Sequence, residues 1–232
     1  MAEGAEILRI RAAQPASGAC DLPPLALELD LAAGDLALIE VRNPLWATEF
    51  ADLCCGLIPL AEGSVHFLGR DWAGIPEMTA AALRGRIGRV HGSGGWIGFA
   101  GTDRNILLPQ LHHTRRPVDD LRDEAARLAR RFGLPGLPLT RPEALSASDL
   151  ARAALVRAFL GEPRLLVLEH PVGGQFADLV TPLLNALAAA RDRGAAGIWL
   201  TGSDLVWNDR SFPATERLRL TERGLSKLRV AA

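Results

Sequence analysis

Apolar and polar positions along the chain switch repeatedly between strand and helix periods. The first third holds short β-type runs, EILRIR, LALELDL, LALIEV and GSVHFLG, separated by Pro, Gly and Asp turn signals. This predicts a small antiparallel sheet leading into a buried central strand. MTAAALRGR, residues 78–86, reads as helix, and RIGRVHG returns to strand. NILLPQL and VDDLRDEAARLARRFG then place apolar residues at helical spacing with charges on the opposite face, and the proline-rich LPGLPLTRPEAL closes that region. SASDLARAALVRAFLGEP predicts a further helix with Ser146 in the N-cap place and Asp149 three residues on as its capping-box partner. RLLVLEHP is continuously apolar, as in a strand covered on both faces. LVTPLLNALAAARDRG, AGIWLTG and ATERLRLTERGLSKL supply another helix, another buried strand and a final strand pair. Helices alternating with apolar strands predict an α/β fold with a largely parallel sheet.

Composition narrows the function classes. At 232 residues with 48% apolar content, the chain is long enough for one core or two closely joined subdomains. A formal net charge of -1 gives no global pull toward nucleic acid, and no nucleic-acid partner is expected. No apolar run reaches the length that spans a bilayer, and MAEGAEILRIRAAQ lacks the layout of a signal peptide. A cytoplasmic location is therefore expected. Cys20, Cys54 and Cys55 have no C-x-x-C spacing, which predicts free thiols and no metal.

Three stretches in order, CCGLIPLAEGSVHFLGRDW, ALSASDLARAALVRAFLGEPRLLVLEHP and RGAAGIWLTGSD, carry a resemblance to the ATP-binding cassette of ABC transporters. It runs from about Ile7 to Leu225, and the segments HPVGGQF and LLPQLHHT are most similar to the ATPase subunits of Mla/Mce-type lipid transporters. The resemblance implies a P-loop-type core of mostly parallel sheet with flanking helices, an N-terminal antiparallel β subdomain and an inserted helical subdomain. It divides a single cassette-like domain into core and β subdomain at 1–92 and 162–232, and a helical subdomain at 93–161.

The positions that the family uses for nucleotide read differently here. A phosphate loop needs glycines, so that backbone amides wrap the phosphates, and a lysine. The resemblance puts this loop at Val41 to Thr48, with Val41, Pro44 and Trp46 at the glycine positions and Ala47 at the lysine position. Proline removes an amide donor, and tryptophan is expected to put bulk where a phosphate would lie. Thr48 keeps the magnesium-binding hydroxyl position but is read as an ordinary first-turn residue. Glu169 stands at the metal-site aspartate and His170 at the catalytic glutamate, while Gly92 and Gly202 replace the family's glutamine and switch histidine. The first 45 positions hold no aromatic residue to stack on adenine. In the signature LSASD, Ser146 is kept and Ala147 is small, but Ser148 and Asp149 add bulk and a negative charge.

These readings lead to an expectation and its rival. The expectation is a catalytically degenerate cassette, structural or regulatory, with little or no ATP hydrolysis and no cofactor. Its implied partners are an ABC transporter membrane subunit, for lipids on the Mla/Mce resemblance, and either a second copy or an active cassette. Its implied place is the cytoplasmic face of the inner membrane. The rival is a divergent ATPase, taking ATP and Mg through non-standard contacts or one residual composite site, with Thr48, Glu169 and His170 as its best residues. The glycine-rich SGGWIGFAG, residues 93–101, lacks the G-K-[ST] of a phosphate loop and is expected to be flexible. Its Trp96 and Phe99 are candidate apolar anchors for the membrane subunit, with packing inside their own subdomain as the alternative. His91, His112 and His113 read as surface or packing residues.

Overall fold

The computed structural model describes residues 4–172 and 178–227. A six-stranded sheet forms its centre, in the order β10 (Gly224–Lys227), β9 (Glu216–Thr221), β3 (Leu36–Glu40), β8 (Ala196–Thr201), β7 (Leu165–Glu169) and β6 (Ile87–Val90). All pairings are parallel except β10 with β9. A four-stranded antiparallel sheet, in the order β2 (Leu27–Ala32), β1 (Glu6–Pro15), β4 (Leu60–Phe67) and β5 (Arg70–Asp71), lies apart from it.

Strand alternation explains why LALIE and LLVLE are apolar at every position. Leu36 and Leu38 of β3 and Leu166 and Leu168 of β7 enter one core, built with helices α3 (Thr102–His113), α4 (Val118–Arg131), α5 (Ala147–Phe159) and α6 (Val180–Asp192). Ala37, Ile39, Leu165 and Val167 enter the other, shared with the antiparallel sheet and helix α1 (Pro44–Cys54). Each buried strand thus stabilises two cores at once. On the edge strand β6 the same alternation turns Gly88 toward α5, where a Cβ would meet the Ala158 carbonyl oxygen at 1.9 Å, and turns Ile87 toward the second core.

Helix α1 starts with Asn43 as N-cap and Pro44 as its first residue. It stops at Gly56, which has φ of 66° and leaves no room for a side chain against the Trp72 ring. Helix α5 has its predicted cap: Ser146 Oγ accepts from the Asp149 amide at 3.1 Å and donates to the Asp149 carboxylate at 2.9 Å. Helix α2 (Glu77–Arg84) precedes β6, and the short α7 (Asp204–Asn208) follows β8. Among the described residues no helix is long and apolar enough to cross a membrane.

Candidate functional site

The ends of β3, β6, β7 and β8 bring the turn at 41–48, Gly92, Glu169, His170 and Gly202 together, as crevices at the carboxyl ends of parallel strands commonly do. The turn is self-contained. Pro44 has no amide to offer, Leu45 N–H donates to Asn43 Oδ1 at 3.0 Å, and Ala47 N–H donates to the Asn43 carbonyl at 3.2 Å. No residue from 41 to 48 has positive φ, so the turn has no need of glycine. Val41 and Ala47 are buried, and Trp46 packs half-buried against the second core. The tryptophan therefore fills the core side of the turn, a correction to its expected place over a phosphate. Its bulk gains more from apolar burial than from the open turn.

Glu169 is 1% exposed at the end of β7, and four groups converge on its carboxylate or on its partner. Thr48 donates its hydroxyl to Oε2 at 2.8 Å, and Gly92 donates its amide to the same oxygen at 3.1 Å. Arg89 Nε donates to Oε1 at 2.6 Å, while its two terminal nitrogens reach Asp52 Oδ1 and, at 3.1 Å, the Thr48 carbonyl. Thr48 is thus no ordinary first-turn residue. It stands one helical turn before Asp52 on α1, so both face β6 and the guanidinium can bridge them. Burial opposes ionisation of Glu169, but Arg89, the Thr48 hydroxyl and the Gly92 amide carry its pKa below the ordinary carboxylate value. Burial likewise works against the charge on Arg89, yet Cys55, Glu169 and Asp52 raise its pKa above normal.

His170 takes a left-handed φ of 45° and accepts a hydrogen bond at Nδ1 from the Gly202 amide at 3.3 Å. Burial lowers its pKa against the opposing pull of Glu169, so the ring is neutral and its proton sits on Nε2. The accepting nitrogen is thereby engaged and is not a free base. The positions matched to the catalytic glutamate and the switch histidine therefore bond to each other. Among the described residues no group of three or more His, Cys, Asp or Glu side chains is placed to hold a metal ion. Cys54 and Cys55 are buried, and burial pushes the Cys55 thiol up to about 11, which leaves both inert.

A cleft of about 280 Å³ opens beside this centre between β6, α2 and α3, with Leu57, Ile87, Ile97 and Leu108 as apolar wall and Arg84 and Arg157 as basic wall. The glycine-rich segment that borders it is pinned. Asn105, buried, accepts from the Ile97 amide at 2.8 Å and donates to the Ile97 and Gly101 carbonyls. Arg157 donates to the carbonyls of Gly95 at 2.9 Å and Gly94 at 2.6 Å, and stacks 4.5 Å from the centre of the Trp96 ring. The expectation of a flexible loop is corrected by these bonds. Trp96 is spent on its own core, whereas Phe99 stands 85% exposed. At the start of α5, Ala147 is exposed, Ser148 accepts from Arg152, and Asp149 is held by Ser146.

Arg89, Asp52, Asn105 and Arg157 are the functional-site residues that reading the sequence missed. A signal existed for the first: in IGRV the alternation places Arg89 on the same face as Ile87, toward the apolar helix that carries Glu49 and Asp52.

No protein-family model matches the chain. It is 27% identical over 149 residues to the intermembrane phospholipid transport system ATP-binding protein MlaF of Haemophilus influenzae, covering 64% of this chain and 56% of that protein. The match therefore spans little more than half the length of that relative. The lipoprotein-releasing system ATP-binding protein LolD of Gluconobacter oxydans is 27% identical over 179 residues, covering 76% of this chain and 77% of LolD. A dimeric bacterial ABC transporter cassette superposes with a TM-score of 0.77 at 17% identity, covering 97% of this chain and all of that one. The chain has the fold of an ABC ATPase cassette and is similar in sequence to these relatives. The antiparallel sheet, the parallel-rich second sheet and the helices packed on it are those of this family's fold. The segment HPVGGQF, which enters the sequence resemblance, lies from Gly173 to Phe176 outside the described residues.

Proposed function

We propose that this cassette is a catalytically degenerate subunit, a structural or regulatory partner of a membrane transporter, with little or no ATP hydrolysis of its own. The observation that carries the reading is the closed centre of Thr48, Glu169, Arg89 and Asp52, in which the Thr48 hydroxyl donates to the Glu169 carboxylate and Arg89 bridges that carboxylate to Asp52. Mg-ATP does not fit these residues. Two of the first-turn amides of α1 are engaged by Asn43, Pro44 supplies none, Ala47 supplies no charge, and His170 is neutral and accepts at Nδ1 from the Gly202 amide. On this reading nucleotide-site positions have become structural ones.

The same reading assigns the cassette a place at the cytoplasmic face of a membrane, in a dimer with itself or with an active cassette. The names of its relatives, which concern phospholipid transport and lipoprotein release, favour a lipid-type cargo. Residues 93–161 form the helical subdomain, and the cleft beside Ile97 and Leu108 receives a segment of the membrane subunit, with Phe99 as an apolar anchor. Trp96 acts there only indirectly, through Arg157 and the loop they share.

Calorimetric titration of the purified chain with Mg-ATP to millimolar concentration is the direct test. No binding heat is the expected result, and micromolar affinity would establish the divergent ATPase instead. In a complex with an active cassette, Ser146→Ala distinguishes a residual composite site, which loses ATPase rate, from a purely structural subunit, which keeps it.

A further inference from the structure

The oxygens around Arg89 form a donor set suited to a hard cation. Asp52 Oδ1, Glu169 Oε1 and the Thr48 carbonyl all accept from the one guanidinium, and the Thr48 hydroxyl lies against the second oxygen of Glu169. Carboxylate, carbonyl and hydroxyl oxygens are what divalent ions such as Mg²⁺ and Mn²⁺ take as ligands. Two carboxylates drawn to one point, one of them buried, repel each other and need a positive charge between them. Among the described residues nothing else there supplies it. Arg84 is engaged with Glu77 and the carbonyls of Cys55 and Gly56, and Arg157 with those of Gly94 and Gly95.

We infer that Arg89 is a built-in cation that takes the place of a divalent metal, so that α1 is joined to the end of β7 permanently and without a cofactor. The inference rests on the reading that Mg-ATP is not taken up, and it deepens that reading. A metal that arrives and leaves with nucleotide joins α1 and β7 only while bound, whereas a side chain on β6 joins them always. The cassette is then fixed in one arrangement at this contact instead of cycling between two.

The experiment is thermal unfolding of the purified chain and its variants, with Mn²⁺ as probe. The wild-type midpoint is expected to ignore both Mn²⁺ and a chelator. Arg89→Ala is expected to lower the midpoint by about 10 °C, and Mn²⁺ to restore at least half of that loss with a saturable dependence. The chain carrying Arg89→Met, Asp52→Asn and Glu169→Gln together is expected to be more stable than Arg89→Met alone and indifferent to Mn²⁺. A wild-type midpoint that rises with Mn²⁺, or an Arg89→Ala chain that Mn²⁺ does not stabilise, overturns the inference. If Arg89→Ala is unfolded without metal, the triple variant decides: failure to outdo Arg89→Met gives Arg89 a packing role only and overturns the inference. Mg-ATP titration of the wild type separates the two claims, since nucleotide binding removes the proposed function whatever the Mn²⁺ arms show.

Discussion

Arg89 and Arg157 are two shielded cations on the wall of one cleft, and the protein satisfies them in opposite ways. Arg89 lies between two carboxylates, and its pKa rises despite burial. Arg157, 8% exposed, has only carbonyl oxygens and the Trp96 face, and burial with the nearby Arg89 lowers its pKa to about 10. One holds charged elements of the core together. The other holds the shape of a loop. The contrast separates a centre where electrostatics dictates the structure from a rim where hydrogen-bond geometry does.

The largest effect should come from Arg89→Met, which leaves Glu169 charged and buried and is expected to cost about 3–5 kcal/mol in urea unfolding. Arg157→Met removes two hydrogen bonds from a charged donor and a cation–π contact, for an expected loss of about 2–3 kcal/mol. Equal losses would erase the contrast. Acid sharpens it further. Glu169 is depressed below its ordinary value of 4.5, so its contribution is fully present above pH 4.5 and is lost as pH falls through the lower folded value. His91 is held down to about 4 by burial, Arg89 and Arg157, against Glu169 and Asp52, so below pH 6.5 the unfolded chain takes up a proton that the folded one refuses. Stability should therefore start to fall near pH 6.5, and His91→Phe should flatten that first part while Glu169→Gln removes the part below 4.5.

Smaller effects test the rim. Asn105→Ala strands the Ile97 amide and should cost about 1–3 kcal/mol, with faster hydrogen exchange confined to residues 94–101. Ser146→Ala should cost about 1 kcal/mol through the lost cap of α5. Phe99→Ser should change the stability of the isolated chain by no more than about 0.5 kcal/mol, because the ring is exposed, while weakening capture by a membrane subunit. A large loss of stability from Phe99→Ser would place the ring in the fold itself.

Much of the framework was legible because burial writes a period into sequence. LALIE and LLVLE are apolar throughout since each strand faces two cores, and SASD before an apolar helix marks a cap that the structure has. The centre was legible only in part. Glu169, His170, Gly92 and Gly202 could be located by their place after each strand, but their bonds to one another join residues 32 and 77 positions apart. The glycine-rich loop misled for the same reason, as Asn105 and Arg157 pin it from helices whose approach no local pattern records.

The sequence by itself determined the order of strands and helices, the two-sided burial of the sheet and the cap of α5, because these depend on side-chain chemistry and local period. Only the tertiary structure decided that Thr48 bonds Glu169, that Trp46 turns into the core, and that Arg89 bridges Asp52 and Glu169. Such choices are set by which charged groups the packed layers force within hydrogen-bonding distance, where one buried cation outweighs every local preference.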